Sequence, residues 1–450
     1  MRARALDPIG VMHQAQRERG LGEMTDDFGA PSLQRELPSS GTVQHSHSST
    51  CIERAYPMIR STDRILTTHA GALPRSKELT ELIRKRAARQ PVDDAKIEEL
   101  LDREVRQVLR LQAEHGVDSV SDGEFSKANF THYAAERIGG IELREYEHGQ
   151  GPEPLSIVAR DDTKFSDYFA AGFGGFASGG KEAARQKIRQ RFCTADLKYI
   201  GHDTVGRDIK RLKSALGEVT AAEAFLPSVT PGVIEHWLFD EHYGSAEKFL
   251  FAIADVLREE YLAIVNGGFL LQLDDPDVAD AWQMYPEMSV TQYREYAELR
   301  VAALNHALRG IDREKIRLHV CWGSFHGPHE FDLPLKDFVD ILFQVEASSF
   351  SIEASNPRHE HEWNVFEKFK LPAGATLIPG VVGHCTNFIE HPELIAQRLL
   401  RYAKLVGKEN LIAGTDCGLG HRTATASVCW AKLNAMALGA KIASKDLWGK

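Results

Sequence analysis

Residues 316–322 read Ile-Arg-Leu-His-Val-Cys-Trp, a short apolar and β-branched run of strand length. Amphipathic stretches of helix length flank it at 288–309 and 335–345. The same alternation runs along most of the chain. Strands are predicted at 65–73, 117–123, 222–230, 268–274, 316–322, 350–355, 375–382 and 410–415, with further helices at 97–114, 246–266 and 393–406. Short strands alternating with longer helices specify βα units and a parallel sheet. Eight such strands predict an α/β fold, the (β/α)8 TIM barrel.

One interval does not fit a simple crossover. Residues 130–215 contain GFGGFASGG (172–180), a strand-like piece at 191–199 and a turn at 201–203. They predict an inserted excursion after strand two, over one end of the barrel and including an antiparallel hairpin. The glycine run lacks the Gly-Lys-Ser/Thr of a phosphate loop and reads as a flexible loop. Residues 1–57, rich in Gln, Ser, Pro and His without sustained periodicity, predict a disordered tail, and 58–450 the barrel domain. Met58 is a second candidate initiator.

The chain of 450 residues has 54 Lys+Arg against 64 Asp+Glu, a net charge of −10, which argues against a nucleic-acid partner. No run approaches the ~20 apolar residues of a membrane span. Six irregularly spaced cysteines do not make a disulfide framework, so a reduced, cytoplasmic location is expected and Cys/His clusters become candidate metal sites.

Chemistry in such a barrel gathers where strands end and loops begin. The predicted strands end in TTHAGALPR (67–75), SDGE (121–124), QLDDP (272–276), HVC (319–321), IEASN (352–356), PGVVGHCTN (379–387) and TDCG (415–418). His319 and Cys321, two apart on a strand, point to one face. Cys417 and Glu353 end other strands. His319, Cys321, Glu353 and Cys417 together offer a nitrogen, two sulfurs and an oxygen, a set suited to Zn2+. His326, His329, His359, His361, His384 and Cys385 compete as ligands; the HEH run at 359–361 reads as solvated or substrate-facing, and Cys51, Cys193 and Cys429 as tail, hairpin and helix residues without a role. Two thiolates and a carboxylate make an electron-rich zinc that activates water poorly and binds a further thiol well. The predicted reaction is attack of a zinc-bound substrate thiolate on an electrophilic carbon, with Glu353 the ligand most readily displaced.

The ordered set THAGALP, SDGE, QLDDP, HVCW, SIEAS, PGVV and TDCG resembles the catalytic C-terminal barrel of cobalamin-independent methionine synthase, over about residues 60–440. HVCWGSFHGPH and IEASNPRHEHE resemble its single-barrel relatives, which include epoxyalkane:coenzyme M transferase. The resemblance implies zinc at His319, Cys321, Glu353 and Cys417, and implies that Glu124 and Asp274 hold the amino group of a homocysteine-like substrate. Asp416, beside a ligand, is a candidate support for the metal site. The chain has Gly71-Ala72 where the synthase has Gly-Ser, losing a hydroxyl that helps anchor the substrate carboxylate. It has Gly383 and Cys385 where the synthase has Asp and His; His384, one residue away, is a candidate acid.

These residues predict a zinc-dependent methyl- or alkyltransferase with a small thiol acceptor, homocysteine-like or coenzyme M-like. The donor is a methylated pterin, a methyl-corrinoid protein, an aryl methyl ether or an epoxide; for an epoxide, His69, His326, His329 and His384 are candidate acids. Two other classes compete. A uroporphyrinogen decarboxylase-like barrel needs cations around a polycarboxylate, for which Arg75 and Arg358 are available. A barrel with structural zinc presents its surface to a protein partner.

Overall fold

The computed structural model describes residues 58–130, 132–172, 187–420 and 422–449. The expected tail (1–57) and nearly all of the glycine-rich run lie outside them. Eight parallel strands form one sheet: β1 (Leu66–Thr67), β2 (Ser119–Val120), β5 (Glu223–Val229), β7 (Leu270–Asp274), β8 (Ile316–Val320), β9 (Ser349–Ile352), β10 (Thr376–Val382) and β11 (Ile412–Thr415). Their order is β1-β11-β10-β9-β8-β7-β5-β2. The two ends meet, because the Asp118 N–H donates to the Thr67 carbonyl at 3.0 Å and Thr68 Oγ1 donates to the Ser119 carbonyl at 3.1 Å. The result is the (β/α)8 barrel.

Strand composition follows from this closure. Residues facing the helices and residues facing the barrel axis are both shielded from water, so β5, β7 and β8 are buried along their whole lengths. Ile316, Leu318 and Val320 join the large apolar core under the helices. Arg317 and His319 alternate with them, and the register sets Gln272 opposite Arg317 and Asp274 opposite His319. A polar ladder therefore climbs one side of the barrel toward its C-terminal face.

The helices predicted from periodicity form at Asp94–Glu114, Ala246–Asn266, Val290–Leu308 and Pro392–Val406. Asp93, Ser245 and Ser289 cap the first three by accepting from a backbone N–H in the first turn. The stretch 335–345 does not form one helix. It divides into a 3-10 turn, Leu335–Asp337, and a single helical turn, Val339–Leu342, because Phe338 takes a non-helical backbone (φ −145°). Its ring is fully buried, edge-on to Trp322.

The excursion after strand two builds a second sheet. Antiparallel β3 (Ile138–Tyr146) and β4 (Ile188–Tyr199) are joined by β6 (Leu238–Asp240), which arrives from the loop after β5. The turn expected at 201–203 is instead the start of a helix, His202–Leu216, whose Val205, Leu212 and Ala215 are buried. Gly201 begins it because a Cβ there would sit 2.6 Å from the Arg137 Cβ. Cys193 lies on β4 and Cys429 in the helix Ala426–Trp448, both buried.

Candidate metal and substrate site

His319 and Cys321 reach the C-terminal face on and just past β8, and Cys417 just past β11. One donor atom of each lies within 4.8 Å of the other two. Both ring nitrogens of His319 are buried without a hydrogen-bond partner, an arrangement that costs about 1–3 kcal/mol per group unless something else takes the lone pair. The Cys321 and Cys417 sulfurs are 3.9 Å apart and not bonded to each other. The Cys321 thiol, with His319 and His384 beside it and against the effect of burial, holds the Cys417 sulfur well below the usual thiol range. Cys321 moves the opposite way, its proton shared toward Cys417 and its burial opposing ionisation. Two neighbouring thiols, one of them driven toward ionisation, and an imidazole close by are the kind of donors that a soft divalent cation such as Zn2+ takes.

Glu353, the fourth sequence-derived ligand, ends β9 in an adjoining trio with His384 and Asp416, again with one donor atom of each within 4.8 Å of the others. Its oxygens accept from the Trp322 N–H at 2.9 Å and from Asn356 Nδ2 at 3.0 Å. Trp322 follows Cys321 directly, so the carboxylate is tied to the ligand strand. Asp416 Oδ1 accepts from the Ala354 and Ser355 N–H groups at 2.8 and 2.9 Å, and Oδ2 from Ser355 Oγ at 2.6 Å. That grip holds the loop bearing Glu353 against the loop bearing Cys417. Burial, with Glu353 nearby, pushes Asp416 up to about 8 despite those three donors. Burial keeps His384 neutral by lowering its pKa, and Cys385 Sγ lies 3.1 Å from its Nε2.

Gly71, Glu124 and Asp274 meet beside this cluster. Glu124 has a left-handed backbone (φ 62°), stabilised by its N–H donating to Asp122 Oδ1 at 2.9 Å. Gly71 sits at φ 117°, a backbone that strains any side chain, and a Cβ there would stand 2.2 Å from Glu124 Oε1. Burial pushes Glu124 up to about 8, with Lys127 opposing and Asp274 and Asp122 adding to it. Burial also pushes Asp274 up to about 6, with His319 opposing. Two buried carboxyls that resist ionising alone are the kind of pair that an arriving cation would stabilise.

The fold gives the competing histidines other partners. His329 Nδ1 and His359 Nε2 converge on Asp332 at 2.7 and 3.0 Å, and His359 Nδ1 also meets Glu362 at 3.1 Å. Although burial opposes their charge, these contacts raise both rings to about 9. His359 is buried and stacked on Trp322, which corrects the solvated reading of the HEH run; only His361 of that pair is exposed. His326 is exposed, and His69 is held neutral by burial with its Nε2 on Gln112. Arg75 donates to the carbonyls of Glu124, Phe125 and Lys127, and Arg358 to the Glu330 carbonyl, so the cations a polycarboxylate would need are engaged by backbone. Sequence reading passed over Arg317, Gln272 and Asn356. A charge and an amide inside buried strands, in step with His319 and Asp274, were the available signal for the first two.

The fold and these strand ends define a class: a (β/α)8 barrel with a thiol- and imidazole-lined site at its C-terminal face. The chain belongs to the family described as cobalamin-independent synthase, catalytic domain, whose profile matches residues 65–150 and 160–441. It is 24% identical over 385 residues to a protein named methionine synthase from Thermococcus kodakarensis, covering 85% of this chain and 94% of that one. It is 21% identical over 365 residues to 5-methyltetrahydropteroyltriglutamate–homocysteine methyltransferase of Thermotoga petrophila, covering 79% of this chain and 41% of that longer protein. Among solved structures, the B12-independent methionine synthase of Shewanella sp. W3-18-1, in complex with selenomethionine, superposes with a TM-score of 0.63 at 20% identity, covering 86% of this chain and all of that one. Among the described residues, no helix is long and apolar enough to cross a membrane.

Proposed function

We propose that this chain is a zinc-dependent methyl- or alkyltransferase acting on a small thiol, with a homocysteine-like acceptor favoured over a coenzyme M-like one. The observation behind this reading is the trio of His319, Cys321 and Cys417, its imidazole nitrogens unpartnered, set beside the buried Glu124–Asp274 pair. Membership of the synthase family and relatives named methionine synthase support methyl transfer as the reaction class. His319, Cys321 and Cys417 would hold the zinc, with Glu353 as the exchangeable fourth ligand. Zinc held there supplies the positive charge that keeps a substrate thiol ionised at neutral pH.

The chain's own residues do the rest. Glu124 and Asp274 ionise against the substrate ammonium and orient it, turning the cost of their burial into selectivity for an amine. Gly71 leaves room for the Glu124 carboxylate. Asp416 keeps the Glu353 loop in place through Ala354 and Ser355 while the acceptor enters. His384, neutral and buried beside Glu353, is the group placed to take and return a proton.

The test is zinc X-ray absorption on metal-replete protein, alone and with homocysteine or coenzyme M. Sulfur coordination rising from two to three with homocysteine supports the reading. Unchanged coordination with both thiols makes the zinc structural, and failure to retain stoichiometric zinc overturns the mechanism.

A further inference from the structure

Arg317 is fully buried inside the barrel, on the same face of β8 as His319 and one interior position below it. Nothing in the metal and thiol chemistry needs a cation there. Its Nε donates to Gln272 Oε1 at 2.8 Å, one terminal nitrogen donates to Thr68 Oγ1 at 2.9 Å, and the other donates to the His69 carbonyl at 2.6 Å. The guanidinium lies 3.9 Å from the centroid of the Phe225 ring, which closes its remaining side.

A guanidinium only donates, so the Gln272 oxygen must face Arg317 and its NH2 group must face away. That NH2 donates to Asp274 Oδ1 at 2.7 Å. The amide cannot flip without setting its own N–H against the guanidinium. A second arm runs through His69. With its carbonyl held by Arg317, its Nδ1 accepts from the Gly71 N–H at 3.2 Å, and its Nε2 faces Gln112 Oε1 at 2.9 Å. Gln112 Nε2 already donates to the Val108 and Ser121 carbonyls, so its oxygen is the acceptor and the His69 tautomer is fixed. Gly71 is the residue on which the Glu124 carboxylate packs.

We propose that Arg317 is a positioning residue for the amine end of the site. Through Gln272 it orients Asp274, and through the His69 carbonyl it sets the Gly71 turn against Glu124. One buried guanidinium thereby fixes two carboxylates, one from the loop after β2 and one at the end of β7, as a pair. This rests on Glu124 and Asp274 being the groups that hold the substrate amine. Lysine would not replace arginine, because an ammonium cannot span three acceptors in one plane.

The experiment is titration calorimetry on the zinc-loaded full chain with homocysteine and with 4-mercaptobutanoate, the same thiol acid without its amine. Wild type, Gln272→Met and Arg317→Lys are compared, with zinc content measured for each. Gln272→Met leaves every charge in place, so it tests the Asp274 arm even where the arginine variant does not fold. The expected result is homocysteine binding weakened about tenfold, 4-mercaptobutanoate within about twofold of wild type, and zinc unchanged. Equal weakening of both thiols, or no change in either, overturns the positioning role. If wild type itself does not distinguish the two thiols, the amine-site reading fails before any variant is considered, and Arg317 has no cradle to position.

Discussion

The Cys321 and Cys417 sulfurs lie 3.9 Å apart although 96 residues separate them in the chain. Two strands, β9 and β10, stand between β8 and β11 in the barrel, so only the curvature of the sheet brings these thiols together. Either cysteine alone is a small thiol, Cys321 buried and Cys417 partly so; as a pair beside the His319 imidazole they become a candidate set of metal donors. Replacing Cys417 with serine is expected to reduce bound zinc from one per chain to well below that and methyl transfer by at least about a hundredfold. Elemental analysis paired with a thiol methylation assay checks it; retention of full zinc in the variant would remove Cys417 from the ligand set.

Gly71→Ala places a methyl group 2.2 Å from Glu124 Oε1 on a backbone with φ 117°. The chain must relax the turn or displace the carboxylate, at an expected cost of about 1–3 kcal/mol. Denaturant unfolding measures the loss of stability. Homocysteine affinity should fall with it, and affinity for 4-mercaptobutanoate should not.

Burial moves Glu124 from an ordinary 4.5 to about 8 in the folded protein. The folded state therefore holds a proton that the unfolded chain releases near 4.5, so this group favours folding fully below about 4.5. That contribution is lost as the pH rises toward 8. An arriving ammonium reverses the preference and expels the proton. At pH 7, homocysteine should release more protons on binding than 4-mercaptobutanoate does, and Glu124→Gln should erase the difference. Calorimetry in buffers of differing ionisation enthalpy reads this directly; equal release by the two thiols in wild type would rule it out.

Asp416 accepts three hydrogen bonds from Ala354 and Ser355. Asp416→Ala is expected to cost about 2–4 kcal/mol of stability and to weaken zinc about 10- to 100-fold by freeing the Glu353 loop. Gly380→Ala offers a second route to the same displacement, since its new Cβ would stand 2.1 Å from Asp416 Oδ1. Competition with a chromophoric chelator measures both. Unaltered zinc affinity in the two variants would show that Asp416 only braces the fold.

Much of the barrel was legible because its signals are local. A buried parallel strand such as Glu223–Val229 is a mostly apolar run, and a helix such as Ala246–Asn266 shows its periodicity and cap within its own length. The excursion was legible only in outline. Ile138–Tyr146 and Leu238–Asp240 are strands by virtue of pairing with Ile188–Tyr199, and that pairing is made by residues far away in the chain. The helix expected over 335–345 breaks at Phe338 for a similar reason, the burial of one ring near Trp322.

By itself the sequence determined that His319 and Cys321 share a face, since side chains alternate along a strand, and that polar residues cluster where the strands end. Only the tertiary structure decided how those residues divide. It placed Cys417 with His319 and Cys321, set Glu353 with His384 and Asp416, gave His329 and His359 to Asp332, engaged Arg75 with three backbone carbonyls, and put Arg317 beneath the site. The physical reason is one of range. Periodicity and capping are fixed by neighbours within a few residues, whereas a ligand, an ion pair or a shifted pKa depends on distances of a few ångströms between residues that the closed barrel alone brings together.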